Sequence, residues 1–305
     1  MTAGARGPSA PLLITGAAVL FSMMAVCVKW ASVQYGAGEL VFYRSLVGTV
    51  FVTTLARVRG TSLRSAFPAM HFWRCASGVI SLLLWFYAIG GLPLATAMTL
   101  NYMSSVWMAL FLIGGAVMLG AARVDGRLVA AVLTGFAGVA LVLRPTLDQQ
   151  QLWHGLAGLL SGLLAAMAYL QVTALGRAGE PELRIVFYFS LGGLVLGAVS
   201  LLLQGASAHT PRGLALLLAI GLLATTAQMM MTRAYRIGRT LSNASLQYLG
   251  IVFSFGFGVL LFDDPVTWMA LAGMALIVIA GLAATLLRSH QQHDAPDTRS
   301  PPIQT

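Results

Sequence analysis

Arg44 is the most conspicuous chemical group in this chain, an always-charged guanidinium set in the apolar run Val41–Gly48 (VFYRSLVG). It lies five residues beyond Glu39, which puts it about 7–8 Å into a helix at 1.5 Å per residue. A charge at that depth needs a partner or water. The favoured reading is structural, with Arg44 held by helix-end carbonyls or by Glu39; the functional one has it attracting an anionic group such as a carboxylate. Lys29, the only lysine, flanks the same mouth as Glu39 and is a second candidate to pair with it. The amides come next. Asn101 sits in TLNY and Gln247 in SLQY, each followed by a tyrosine, and side-chain amides are costly to bury unpaired. Both are assigned to substrate contact. Tyr102 and Tyr248 lie about 100° further round the helix and either line the cavity wall or pack.

Other polar residues recur at helical spacing within apolar segments. Thr15, Ser22 and Lys29 form one stripe, and Ser77, Ser81 and Trp85 share a face with Arg74. Asn101, Ser105 and Met108 form a third, Thr225, Gln228, Thr232 and Tyr235 a fourth, and Asn243, Gln247 and Ser254 a fifth. Such stripes face a passage or another helix, where the hydroxyls serve equally well as interhelical glue. The candidate substrate-binding set is Asn101, Tyr102, Gln247, Tyr248, Trp85, Ser81, Gln228 and Arg44.

Enzyme chemistry is poorly provided for. There is no Gly-x4-Gly-Lys-Ser/Thr phosphate loop, and Cys27 and Cys75 suggest neither a disulfide framework nor a metal site. All nine acidic residues fall at the ends of apolar segments, in loops or in the tail, and the five histidines also avoid segment centres. Asp263-Asp264 is the only acidic pair. No catalytic group, metal or cofactor is expected, and the proton-coupling device of a carboxylate buried mid-span is not visible.

The elements that must position these residues are membrane helices. The 305 residues are 58% hydrophobic and 9% charged, with a mean hydropathy of +0.84, against about 25% charged in soluble domains. Apolar runs near 20 residues match a hydrocarbon layer of about 30 Å. Spans are expected near 11–31, 39–57, 71–90, 95–119, 127–144, 155–175, 184–203, 212–232, 241–262 and 266–287. Residues 1–10 precede them and 289–305 read as a disordered polar tail. The first segment is longer than a signal-peptide core and lacks a convincing cleavage site, so it reads as a retained helix. The net charge of +9 is spread singly between spans rather than in a patch, which argues against nucleic acid. With the N-terminus inside, fourteen basic residues (Arg74 among them) lie at cytoplasmic ends and three at the opposite side, so both termini are expected in the cytoplasm.

The chain also repeats itself. VFYRSLVG at 41–48 returns as VFYFSLGG at 186–193, Thr99–Tyr102 as Ser245–Tyr248, and Gly138-Val139 as Gly281-Leu282, all near one offset. Each half, 11–146 and 152–288, holds five spans. An odd number inverts the second copy, a recurring transporter design with the site at the repeat interface. The chain is identified by resemblance as an EamA-type member of the drug/metabolite transporter superfamily. The resemblance rests on ELVFYRSL (39–46), HFWRCASGVISLLLWFYAIGGLPLA (71–95), GFAGVALVLRP (135–145) and AYRIGRTLSNASLQYLGIVFSF (234–255).

That resemblance implies an all-α membrane protein of ten transmembrane helices in two inverted five-helix repeats. It implies a secondary, non-ATP transporter in the inner membrane whose partners are a small-molecule substrate and the lipid bilayer. The oligomeric state stays open, with a monomer sufficient. Family cargoes include amino acids, nucleosides, sugars, cofactors and organic cations. The cavity read from the stripes is neutral-polar with aromatics, which fits amino acids and related zwitterions; the residues themselves fix no direction, and export is what the resemblance to amino-acid exporters of the family implies. Uptake or exchange of nucleotide-like, cofactor or sugar metabolites is the alternative, and an integral membrane enzyme a remote one. The family's usual Gly-Glu after the fourth and ninth helices is replaced by Gly120-Ala121 and Asp263-Asp264.

Overall fold

A computed structural model of the chain describes residues 9–118, 149–238, 243 and 246–293, with scattered positions between 127 and 141. Among them there is no strand. The described helices are α1 (Ala10–Ala31), α2 (Ala37–Val58), α3 (Pro68–Gly91), α4 (Leu94–Tyr102) and α5 (Ser104–Met118). The second half contributes α6 (Gln149–Arg177), α7 (Glu182–Gln204), α8 (Pro211–Ile237), α9 (Leu249–Phe262) and α10 (Trp268–His293). Six of them, α1, α2, α3, α6, α7 and α8, are each long and apolar enough to cross a bilayer. The expected fifth span lies largely outside the described residues, as do Gly120 and Ala121. Helix α10 continues through His293, five residues into the segment read as tail.

Local sequence explains the helix ends. Pro11, Pro68 and Pro211 open α1, α3 and α8, where a missing N–H costs nothing because the first turn has no intrahelical acceptor. Thr210 adds a side-chain cap, accepting from the Gly213 N–H at 3.0 Å. Asp263 ends α9 in the left-handed region at φ 50°, and the next N–H, of Asp264, returns to the Gly258 carbonyl.

The expected fourth span proves to be two helices. The chain turns at Met103, whose N–H reaches both the Thr99 and Leu100 carbonyls. Likewise α9 starts only at Leu249, after a turn at Gln247-Tyr248. The two interruptions follow Tyr102 and include Tyr248, which are matching positions in the internal repeat. Irregular backbone at such depth is tolerated only where protein shields it. Helix α6 does this for α4: Gly162 lies so close that an added Cβ would stand 2.5 Å from the Leu100 carbonyl oxygen and 3.0 Å from that of Asn101.

The most extensive packing joins α3 to α6, α2 to α7 and α1 to α8. Small residues allow the close approach: at Gly197 of α7 a Cβ would lie 2.6 Å from the Phe42 backbone N and Cα of α2. Around this core, Phe72, Trp73, Ile80, Val195, Leu260 and Trp268 are exposed, an unpartnered apolar surface suited to lipid.

The glycine contacts make a testable pair. Gly197→Ala is expected to destabilise the fold by about 1–3 kcal/mol through overpacking against backbone, whereas Gly114→Ala, with nothing among the described residues within 4 Å of the new Cβ, leaves thermal unfolding in detergent unchanged or slightly raised.

Candidate functional site

A central cavity sits among α1, α2, α3, α4, α6, α7 and α8 and the turn before α9. Its walls enclose about 620 Å³ of unfilled space, mouth included, of which about 50 Å³ is open to the centre of a water-sized sphere. That is room for roughly three to five waters, so the passage is narrow in this conformation and must spread to admit a metabolite.

Six of the eight candidate residues line this space: Arg44, Trp85, Asn101, Tyr102, Gln228 and Gln247. Ser81 and Tyr248 do not. Ser81 instead donates to the Ser161 carbonyl at 2.8 Å, and Ser161 Oγ accepts from Asn101 Nδ2 at 3.0 Å while donating to the Gly158 carbonyl at 2.6 Å. Ser81 thus acts one step behind Asn101, bracing the residue that braces the amide. Tyr248 is buried but absent from the lining. Gln247 Nε2 donates to the Tyr235 hydroxyl at 3.0 Å, and Tyr235 stacks on Tyr169 with centroids 5.6 Å apart. Gln247 Oε1, Gln228 Nε2 and Trp85 Nε1 are buried without a hydrogen-bond partner among the described residues. Unpaired buried polar atoms are costly, and in a cavity wall they are free to meet a ligand. Phe21 and Trp85 meet edge to face at 6.4 Å and supply its aromatic flank.

The charges differ from expectation. Arg44 is not held by Glu39: that carboxylate accepts from Ser207, the hydroxyl at 2.7 Å and the N–H at 3.3 Å. Nor does Lys29 pair with Glu39. Its ammonium lies 2.8 Å from Asp264 and over the Phe262 ring. The physical reason is a second bond, because Asp264 Oδ2 also accepts the Leu94 N–H at 2.6 Å and so caps α4. The acid that stands in the family's Gly-Glu place after α9 therefore ties α1, α4 and α9 together. The second correction concerns Arg74. Counted above among cytoplasmic ends, it is 2% exposed and lines the cavity, which is accordingly cationic rather than neutral-polar. Its spacing with Ser77, Ser81 and Trp85 carried that signal, since one helix face reaches from it to the tryptophan. The sequence reading also omitted Tyr169, Phe189 and Phe21 from the site. Phe189 was findable as the repeat counterpart of Arg44; both guanidiniums pack on its ring, Arg44 at 5.2 Å and Arg74 at 4.3 Å from the centroid.

Acidic residues do become buried, but at the ends of the bundle. Glu180, 1% exposed, accepts from Ser65 at 2.7 Å and from Arg184 at 2.9 Å, with His71 at 3.7 Å. Arg236 pairs with Glu182 at 2.8 Å. At the opposite end, His209 joins Tyr43 and Tyr35 at 2.8 and 3.4 Å. Polar contacts thus gather at both ends of the bundle.

Comparison with known proteins identifies the family. The EamA-like transporter family matches residues 8–144. The pseudopaline exporter CntI of Pseudomonas aeruginosa is 34% identical over 276 residues, covering 90% of this chain and 95% of that protein. A riboflavin transporter of Rhizobium johnstonii is 28% identical over 227 residues, 72% of each chain. One crystal structure matches over 93% of this chain and 98% of its own with a TM-score of 0.67 at 19% identity, which shows a shared fold. The chain belongs to the EamA-like transporters of the drug/metabolite transporter superfamily. It is a multi-pass membrane transporter of that class and not an enzyme.

The two bonds of Asp264 separate by substitution. Asp264→Asn keeps an oxygen for the Leu94 N–H and loses only the charge, whereas Asp264→Ala abandons both partners. The alanine variant is expected to lose roughly 1–3 kcal/mol and clearly more than the asparagine variant in thermal unfolding; equal losses would refute the capping role.

Proposed function

We propose that the protein is a secondary transporter that exports a small amino-acid-like metabolite across the inner membrane by alternating access, holding it in the central cavity. The carrying observation is that this cavity lies where the two halves of the chain meet and is walled by amides at matching helix interruptions. Asn101 precedes the turn at Met103, and Gln247 lies in the turn before α9. Interrupted helices in corresponding positions of two repeats are the usual pointer to a transporter's binding site.

The packing supports two inverted repeats over 11–146 and 152–288, ten spans in all. If α1, α2 and α3 correspond to α6, α7 and α8, the α3–α6 contact mirrors the α1–α8 contact and the α2–α7 contact maps onto itself. Those are the three most extensive interfaces. Rocking one repeat against the other must then break the Lys29–Asp264 link at one end or the Ser65–Glu180 contact at the other. The arginine bias between spans supports cytoplasmic termini. The relative named as a pseudopaline exporter supports export. An amino-acid-like cargo fits because the guanidiniums suit its carboxylate, while Gln247 Oε1 offers an acceptor for its amine. The riboflavin transporter favours a second reading, a larger cofactor-like cargo.

Reconstitution into proteoliposomes tests the proposal. Labelled substrate flux is expected to saturate and to be accelerated by unlabelled substrate on the far side; flux that stays linear with concentration would sink the carrier reading. Among purified variants, Asn101→Ala and Gln247→Ala are expected to abolish substrate-induced thermal stabilisation while staying folded, with a ligand-free midpoint lowered modestly by the loss of the Ser161 and Tyr235 hydrogen bonds. An unchanged ligand response in both would remove the amides from the site.

A further inference from the structure

The cavity wall carries two permanent positive charges and no negative one. Among the described residues no carboxylate lines it, and every buried acid is engaged elsewhere: Glu39 with Ser207, Glu180 with Arg184. Arg44 and Arg74 are 4% and 2% exposed. Neither makes an ion pair among the described residues, and the Nε of each is buried without a hydrogen-bond partner. Both lie against the one Phe189 ring, so their like charges stand no further apart than twice a ring contact. A ring face offers weak compensation for two guanidiniums. Bringing two cations together out of water is unfavourable unless anionic groups join them.

The structure keeps Arg74 in place by design of its neighbour. A Cβ at Gly78, one turn further along α3, would collide with Nη1 of Arg74, so the glycine makes room for the guanidinium to fold along the helix into the cavity. Of the remaining unpaired atoms in the wall, Trp85 Nε1 and Gln228 Nε2 are donors as well, and Gln247 Oε1 is the one acceptor among the described residues. A wall rich in donors and doubly cationic is complementary to acceptor oxygens carrying negative charge.

Resting on the transporter reading above, we propose that the cargo is a net anion bearing at least two oxyanion groups, of the dicarboxylate or polycarboxylate class, which Arg44 and Arg74 grip against Phe189. A neutral zwitterion leaves one positive charge of the wall uncompensated and is discriminated against. The guanidiniums bind as fixed charges, and no proton or covalent bond is exchanged. A net negative cargo also makes transport carry current across the membrane.

The test uses purified full-length protein with glutamate and citrate against glutamine and leucine as probes, glutamine differing from glutamate by one charge at nearly equal size. Glutamate or citrate is expected to raise the thermal midpoint and to show saturable proteoliposome flux that responds to an imposed potassium-valinomycin potential. Glutamine and leucine are expected to do neither at equal concentration. Arg44→Gln and Arg74→Gln are each expected to weaken anion binding about ten-fold or more while leaving the ligand-free midpoint unchanged or raised, because an uncompensated buried charge is removed. A structural arginine would lower that midpoint instead, and such a fall in both variants overturns the proposal. Gly78→Ala keeps both charges but displaces Arg74, so it is expected to match Arg74→Gln. Saturable flux of leucine or glutamine with none for the anions would overturn the anionic assignment and leave the transporter standing. Absence of saturable flux for all four probes, with no thermal response, would overturn both.

Discussion

A bilayer offers no water to an unpaired N–H, C=O or charge, and the architecture of this chain follows from how it meets that condition. Backbone satisfies itself in helices. Where α4 gives way to α5 the regular intrahelical pattern lapses into a turn at Met103, and α6 presses Gly162 onto the Leu100 and Asn101 carbonyls. The same contact fixes the Asn101 side chain, because Ser161, adjacent to that glycine, receives its amide. One close approach between helices therefore both permits the interruption and orients a group at the cavity wall. Adding a single methyl at residue 162 would separate the helices and dismantle both.

The bundle divides its polar groups by position. At its two ends, acids and bases are paired and capped, as in the links from Asp264 to Lys29 and Leu94 and from Glu180 to Ser65 and Arg184. These contacts are largely buried, Glu180 almost wholly, and each acid there has its hydrogen-bonding partners in place. At the centre the groups are left open: a lone amide oxygen, an indole N–H, two guanidiniums. Leaving them open is expensive in the empty protein and becomes favourable once a ligand supplies their partners. That contrast is the energetic basis for a carrier, whose end contacts must break in turn while its central contacts await the cargo.

The cavity also shows that matching positions in the sequence need not share a chemistry. Asn101 and Gln247 match in the repeat, yet one finds a serine on α6 and the other a tyrosine on α8. Arg44 and Phe189 match as well, and here the two copies meet face to face, the aromatic of one half serving as the platform for the guanidinium of the other.

Much of the scaffold was legible in the linear chain because burial in lipid imposes a one-dimensional code. Apolar runs of a fixed length, broken by Pro, Gly and charge, located helices such as Ala10–Ala31 and Glu182–Gln204 to within two residues. Repeated VFYxSLxG and L-[NQ]-Y segments marked the amides, and six of the eight candidate residues do line one cavity. What the tertiary structure alone decided was pairing. Lys29 had two acids within reach of its end of the bundle, and only the fold brought Asp264, 235 residues away, to it rather than Glu39. Ser81 and Asn101 looked alike as polar points on apolar faces, and packing placed one behind the other. Arg74 read as an interfacial charge because linear distance to a helix end says nothing about whether the side chain turns outward to water or inward along its own helix. The space above Gly78 settled that direction, and with it the sign of the cavity.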